Sequence, residues 1–215
     1  MFCNILKFDF FPLPPGSADF VTKMGLKDSS GSKKVPGLCS DTAYELDGTA
    51  ILKKTKLISQ TQEAKTASIF SVFKLAKDNE GYLFTTYFSD ATPMVALKMH
   101  PLTFEYSDNK GNVYSTSIRG NVNDGKWHTL AISINDEALE FLLDCVSVTR
   151  VPKPVHFNIS EILKREGPTL LGSRLDGNTK FEVCVCLSIS VELRGHGGEG
   201  GGRGRRPNPF YGRED

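Results

Sequence analysis

Between Asn123 and Arg150 apolar and polar residues alternate in two successive runs, each preceded by a tight polar turn. Asp124-Gly125 leads into Lys126-Trp127-His128, after which Leu130, Ile132 and Ile134 recur at every second residue. Asn135-Asp136 turns the chain into Leu139, Phe141 and Leu143, which end at Asp144-Cys145. A period of two puts one set of side chains on one face of a strand, so this segment is predicted to be a β-hairpin with a single buried face.

The pattern repeats along the chain. Thr49–Ile58 alternates loosely, and Ala67–Leu75, Gly81–Phe88, Met94–Met99 and Leu102–Tyr106 are rich in aromatic and β-branched residues. Asn109-Lys110-Gly111 has hairpin-turn chemistry, and Val113–Ile118 follows with Val113, Ser115 and Ser117 on one face. Thr169–Ser173 reads as a further short strand. Strands recurring about every 8–12 residues with polar turns between them define a sandwich or barrel, not βαβ units. One short helix is expected over Ser160–Arg165, where Glu161 opens the segment, Lys164-Arg165 close it and Gly167-Pro168 stop it. Residues 1–38 read as a leader and linker and 193–215 as a Gly/Arg-rich tail. Both are expected to be disordered, because neither carries a regular apolar period.

The 215 residues suit one all-β domain with tails. A net charge of +1 supplies no overall field for nucleic acid, so polyanion binding would need a local patch. No apolar run approaches the roughly 18 residues of a membrane span. Met1–Phe20 is interrupted by Lys7 and Asp9 and makes an unconvincing signal peptide. Five cysteines leave one over in a fully oxidised secreted chain. No Gly-x-Ser-x-Gly, phosphate-binding glycine loop or His/Glu zinc motif is present.

The order Asp124-Gly125-Lys126-Trp127-His128, strand, turn, strand, Asp144-Cys145, then Leu171-Gly172-Ser173-Arg174, resembles the thrombospondin N-terminal domain family. Phe70–Phe73 matches the Phe-Ser-apolar strand of that family. The family is a branch of the laminin-G-like, concanavalin-type sandwiches. The resemblance runs from about Cys39 to Glu182 and implies an antiparallel jelly-roll sandwich over residues 39–192. It also implies a secreted, non-catalytic matrix module whose partners are glycosaminoglycans and matrix or cell-surface proteins. A cysteine late in the family pairs with the one at Cys145; Cys39, Cys184 and Cys186 are the candidates here. Because Cys184 and Cys186 come early, sequence beyond about Glu182 is expected to be foreign to the sandwich.

Candidate site residues follow. Lys53, Lys54 and Lys56 form a dense basic segment, and Arg150, Lys153, Lys164, Arg165 and Arg174 could join them as a heparin-type patch. Trp127 is expected beneath the sheet, with a bulge if Leu130 is buried too, and His128 at the surface. Asn158-Ile159-Ser160 fits the N-glycosylation acceptor. No cofactor is required. Some laminin-G-like folds hold calcium at the rim, for which Asp90, Asp108 and Asp144 are the available acids. The alternative reading is a lectin-like or glycoside-hydrolase-type sandwich. A hydrolase would need two converging carboxylates, and Glu140 and Asp144 would share a face that Glu137 does not. A second alternative is a truncated variant with no activity of its own.

Overall fold

The computed structural model of the chain describes residues 19–38, 43–55, 66–77, 79–108, 110–155, 157–158, 162, 166–175 and 182–188, the last with the side chains of 183–185 only. Two antiparallel sheets stack into a sandwich. The first has seven strands: β1 (Ser32–Val35), β2 (Ala43–Asp47), β4 (Ala67–Leu75), β9 (Trp127–Ile134), β10 (Ala138–Leu143), β11 (Val146–Pro152) and β13 (Glu182–Ser188), in the order β1-β2-β13-β4-β9-β10-β11. The second has six: β3 (Ile51–Lys54), β5 (Tyr82–Tyr87), β6 (Pro93–Met99), β7 (Leu102–Ser107), β8 (Val113–Ser117) and β12 (Pro168–Leu171), in the order β3-β12-β5-β6-β7-β8. This is the antiparallel sandwich expected from the alternation, in the laminin-G-like form that the resemblance implies.

The hairpin read first from the sequence is β9–β10, with Ile132 opposite Phe141 and Leu130 opposite Leu143. Leu130, Ile132, Ile134, Leu139, Phe141 and Leu143 all face the core. Phe104 on β7 crosses the gap between the sheets to Phe141, ring centroids 5.6 Å apart and tilted by 58°. Phe157 closes on Phe104 edge-on at 6.0 Å.

Two expectations change. Residues 19–38 are not a linker. Asp19 caps the helix α1 (Phe20–Met24) by accepting from the Val21 N–H at 3.1 Å, and Gly25 ends it at φ 71°. Phe20, Met24 and Leu26 are buried in the main core, Phe20 against Phe84 with ring centroids 6.5 Å apart. Residues 183–188, just beyond Glu182, are not foreign to the sandwich. β13 pairs with β2 on one side and β4 on the other, and its Val183 and Val185 are buried. Finally, the turn after β10 puts Asp144 at φ 48° and Cys145 at φ 70°, both left-handed, with no glycine between the strands. The helix expected at Ser160–Arg165 lies outside the described residues except for Ile162, which is buried.

Candidate functional site

Lys53 and Lys54 are exposed on β3, an edge strand, and point to opposite faces. Lys53 shares its face with buried Ile51, the side on which α1 packs. A Cβ added to Gly25 would lie 3.6 Å from the Lys53 Nζ, so that ammonium group rests against the end of α1. Lys23 and Lys27 flank Gly25 in sequence. β1, with Lys33 and Lys34 exposed, packs on the 3-10 turn Leu26–Asp28 that carries Lys27. The four elements that carry these lysines pack on one another at one edge of the sandwich. Lys23 and Lys27 escaped the sequence reading because their segment carries no strand periodicity.

The other basic candidates lie elsewhere. Arg150 and Lys153 follow one another at β11, the far edge of the seven-stranded sheet, where Arg150 stands opposite Glu140 and Lys153 Nζ is 3.5 Å from Asp136. That edge adjoins the end of β8, since the Arg119 N–H donates to Thr149 Oγ1 at 3.1 Å. Arg174 turns inward: its guanidinium carbon is 4.6 Å from the centre of the Tyr82 ring, and Nη1 donates to Tyr82 Oη at 2.7 Å. Lys56, Lys164 and Arg165 lie outside the described residues.

Three turns at one end of the six-stranded sheet enclose an open cavity of about 350 Å³, lined by Phe88, Ser89, Asp90, Thr92, Asp108, Lys110, Gly111 and Glu166. Two of the three calcium candidates thus meet. Their chemistry argues against a cation at Asp108. Its Oδ1 accepts the N–H groups of Lys110 and Asn112, and its Oδ2 accepts Asn112 Nδ2 and Tyr114 Oη. All four acceptor positions of that carboxylate are filled. These bonds, led by the Asn112 side chain, hold its pKa down to about 2. Asp90 accepts from the Thr92 N–H at 2.9 Å, which lowers its pKa too. Among the described residues no three His, Cys, Asp or Glu side chains are placed to hold a metal ion. The four bonds leave Asp108 no free acceptor position for calcium.

Asp144 serves a different group. His128 Nδ1 lies 2.8 Å from Asp144 Oδ2, and its Nε2 lies 2.9 Å from Asp124 Oδ1. Asp144 Oδ1 accepts the Thr129 N–H at 2.9 Å, and Asp124 accepts that of Lys126. The expected positions of Trp127 and His128 are reversed. His128 is only 8 % exposed and falls in the buried register of Leu130 and Ile132, with its ring 6.1 Å from Phe73, whereas Trp127 is half-buried. β9 pairs with β4 without interruption from Trp127 to Ile134, so no bulge is needed. Burial alone would depress the His128 pKa, but the bonds to Asp144 and Asp124 outweigh it and raise the value above 6.5. His128 in turn is the main cause that holds the Asp124 carboxyl at about 2.

Cys145 is disulfide-bonded. Cys184 stands opposite Lys74 and Cys186 opposite Val72 on β4, whose other neighbour is β9, with β10 one strand further on. Three interstrand spacings amount to about 14 Å, twice the Cα separation a disulfide spans. This removes Cys184 and Cys186 as partners of Cys145; Cys39 lies outside the described residues. Glu140 accepts from Ser147 Oγ on the outer face while Asp144 is held by His128, so that carboxylate pair does not converge as hydrolysis of a glycoside requires. Asn158 is exposed.

The model of the Laminin G domain family matches residues 74–184. The chain belongs to that family. Solved structures with the same fold include the binding domain of Paraclostridial Mosquitocidal Protein 1 (13 % identity, TM-score 0.55, 77 % of this chain and 43 % of that one). A carbohydrate esterase from the Shiga toxin-encoding bacteriophage phi24B is also similar (15 % identity, TM-score 0.53, 86 % of this chain and 100 % of that one). So is the receptor binding domain of botulinum neurotoxin mosaic serotype C/D (11 % identity, TM-score 0.52, 74 % and 40 %). The chain spans less than half the length of the two toxin domains. No helix among the described residues is long and apolar enough to cross a membrane.

Proposed function

We propose that this chain is an extracellular, non-catalytic recognition module of the thrombospondin N-terminal branch, which binds sulfated glycosaminoglycan along the β3 edge. The observation that carries the reading is the seating of the Lys53 ammonium against Gly25, between Lys23 and Lys27, with Lys33, Lys34 and Lys54 exposed nearby. Sulfates on an extended polymer are recognised by fixed cations spread along a line, not by an enclosed pocket. Arg174, spent on Tyr82, and Lys153, paired with Asp136, are left out of the site; Arg150 lies on the opposite edge. The branch assignment draws on the motif from Asp124 to His128 with Asp144-Cys145, whose side chains the fold joins through His128. Secretion is favoured by the bonded Cys145 and by the exposed acceptor Asn158, which would carry a glycan.

Retention of the protein on a heparin column under a salt gradient tests this. The wild type is expected to elute above physiological salt. The combined Lys23→Ala, Lys27→Ala, Lys53→Ala and Lys54→Ala variant should elute much earlier, whereas Arg150→Ala should not move. Flow-through of the wild type would end the glycosaminoglycan reading. Equal retention of wild type and the fourfold variant would relocate the site.

A further inference from the structure

His128 has a carboxylate oxygen within 2.9 Å of each ring nitrogen. A neutral imidazole carries one N–H and can donate to only one of them, leaving a lone pair facing an anion at the other. Only the imidazolium satisfies both bonds, so the observed arrangement is that of a doubly protonated ring held between two carboxylates. Each carboxylate also ends a different piece of chain. Asp124 belongs to the loop Asn121–Lys126 that leads into β9, and Asp144 to the left-handed turn that carries the bonded Cys145.

We propose that His128 is a pH-operated clamp that locks the Asp124–Lys126 end of the loop before β9 and the Asp144-Cys145 turn together onto the start of β9, and that it releases the Asp124–Lys126 end as the pH rises.

The two sides are unequal, which fixes the one that opens. The Asp144 turn has further anchors on β9: its N–H donates to the Thr129 carbonyl at 2.8 Å and its carboxylate accepts the Thr129 N–H. Among the described residues Asp124 reaches β9 only through His128; its remaining bonds are to Lys126, the N–H at 2.9 Å and the ammonium at 3.5 Å, while the earlier part of the loop is held separately by the buried Val122 and by the Asn79 N–H on Asn123 Oδ1. The loss of one imidazole proton therefore costs the Asp124 end of the loop its attachment to β9 first. The surroundings hold few competing charges. β4 presents the Phe73 ring to His128, while Lys74 stands opposite Trp127, on the other face. Lys77, after β4, lies along Gly125, where an added Cβ would come 3.7 Å from its side chain. Lys126 completes the set, and Cys145 as a disulfide does not titrate. Lys126 favours Asp124 as the anion and leaves the proton balance to His128.

Trp127 sits between the loop and the clamp and is the single tryptophan of the chain, so its fluorescence reports on this joint alone. In the full folded chain its emission is expected to change with pH, with a midpoint above 6.5. The change should vanish in His128→Gln, and its midpoint should fall in Asp124→Asn, which removes one anion. Imidazole proton resonances give the same titration independently, and Asp124→Asn should move one histidine of the four. Amide exchange of Lys126, whose N–H is on Asp124, should accelerate across that midpoint while Thr129 stays protected. A His128 midpoint at or below 6.5, or equal acceleration at Lys126 and Thr129, would overturn the proposal.

Discussion

The turns after β7 and after β10 each depend on one aspartate, and they use it in opposite ways. Asp108 is satisfied within its own turn, by the Lys110 and Asn112 backbones, the Asn112 amide and the Tyr114 hydroxyl. Asp144 is satisfied from a neighbouring strand, by the Thr129 N–H and the His128 ring. The first turn also places Gly111 at φ 82°, while the second forces Asp144 and Cys145 into positive φ. A turn closed by neutral donors of its own needs nothing from the rest of the protein. A turn closed by a titratable group from elsewhere has its stability linked to pH and to tertiary structure. The comparison separates local from long-range stabilisation in two similar hairpins of one sandwich.

The largest expected effect is at the borrowed group. His128→Ala removes two charge-assisted bonds and a buried ring, and should cost about 2–3 kcal/mol near pH 6. Its folded pKa is raised, so this contribution is complete below 6.5 and is lost as the pH climbs through the folded value. Urea unfolding should therefore show a smaller gap between variant and wild type at alkaline pH. A gap that did not change with pH would reduce His128 to a packing residue and remove the contrast between the turns.

Asp108→Asn comes next. It keeps one acceptor oxygen but presents an amide to donors, so the melting temperature should fall, and by the same amount at pH 6 and at alkaline pH. The Asp108 carboxyl titrates at about 2 against an ordinary 3.8, so its contribution is complete above 3.8 and is lost as the pH falls toward 2. Asp124, also at about 2, behaves alike on that acid limb. Asp108→Asn should flatten part of the acid limb and leave the alkaline limb intact, the mirror of His128→Ala. A variant that altered the alkaline limb would show that the two turns communicate.

Much of this was legible in the sequence. The β9–β10 hairpin follows from alternation alone because one face is buried and the other is not. The same alternation already placed His128 in the register of Leu130, Ile132 and Ile134. It was missed because a large indole was given preference for the interior over an imidazole, although an imidazole with two carboxylates beside it is no longer a costly group to bury. Nothing local could reveal those carboxylates as a pair, since Asp144 is sixteen residues away and meets the ring only through strand pairing. α1 and β1 escaped for a different reason: Ser32-Lys33-Lys34-Val35 is an edge strand held by β2 alone, so no apolar period marks it. With that segment went Lys23 and Lys27, and with them the shape of the basic edge.

The smallest expected effect isolates backbone strain from electrostatics. A Cβ at Gly111 would meet nothing within 4 Å, so Gly111→Ala changes only the cost of φ 82°. A left-handed alanine there should cost about 1 kcal/mol, with no dependence on pH. The β10 turn holds two such conformations without glycine, which is affordable only because Thr129, His128 and the Cys145 disulfide bind it from outside. Combining Gly111→Ala with His128→Ala should then give additive losses, since the turns share no partner. A combined loss well beyond the sum, in unfolding measured at pH 6, would mean that the Asp108 turn is not self-contained and that its stability too is drawn from β9 and β10.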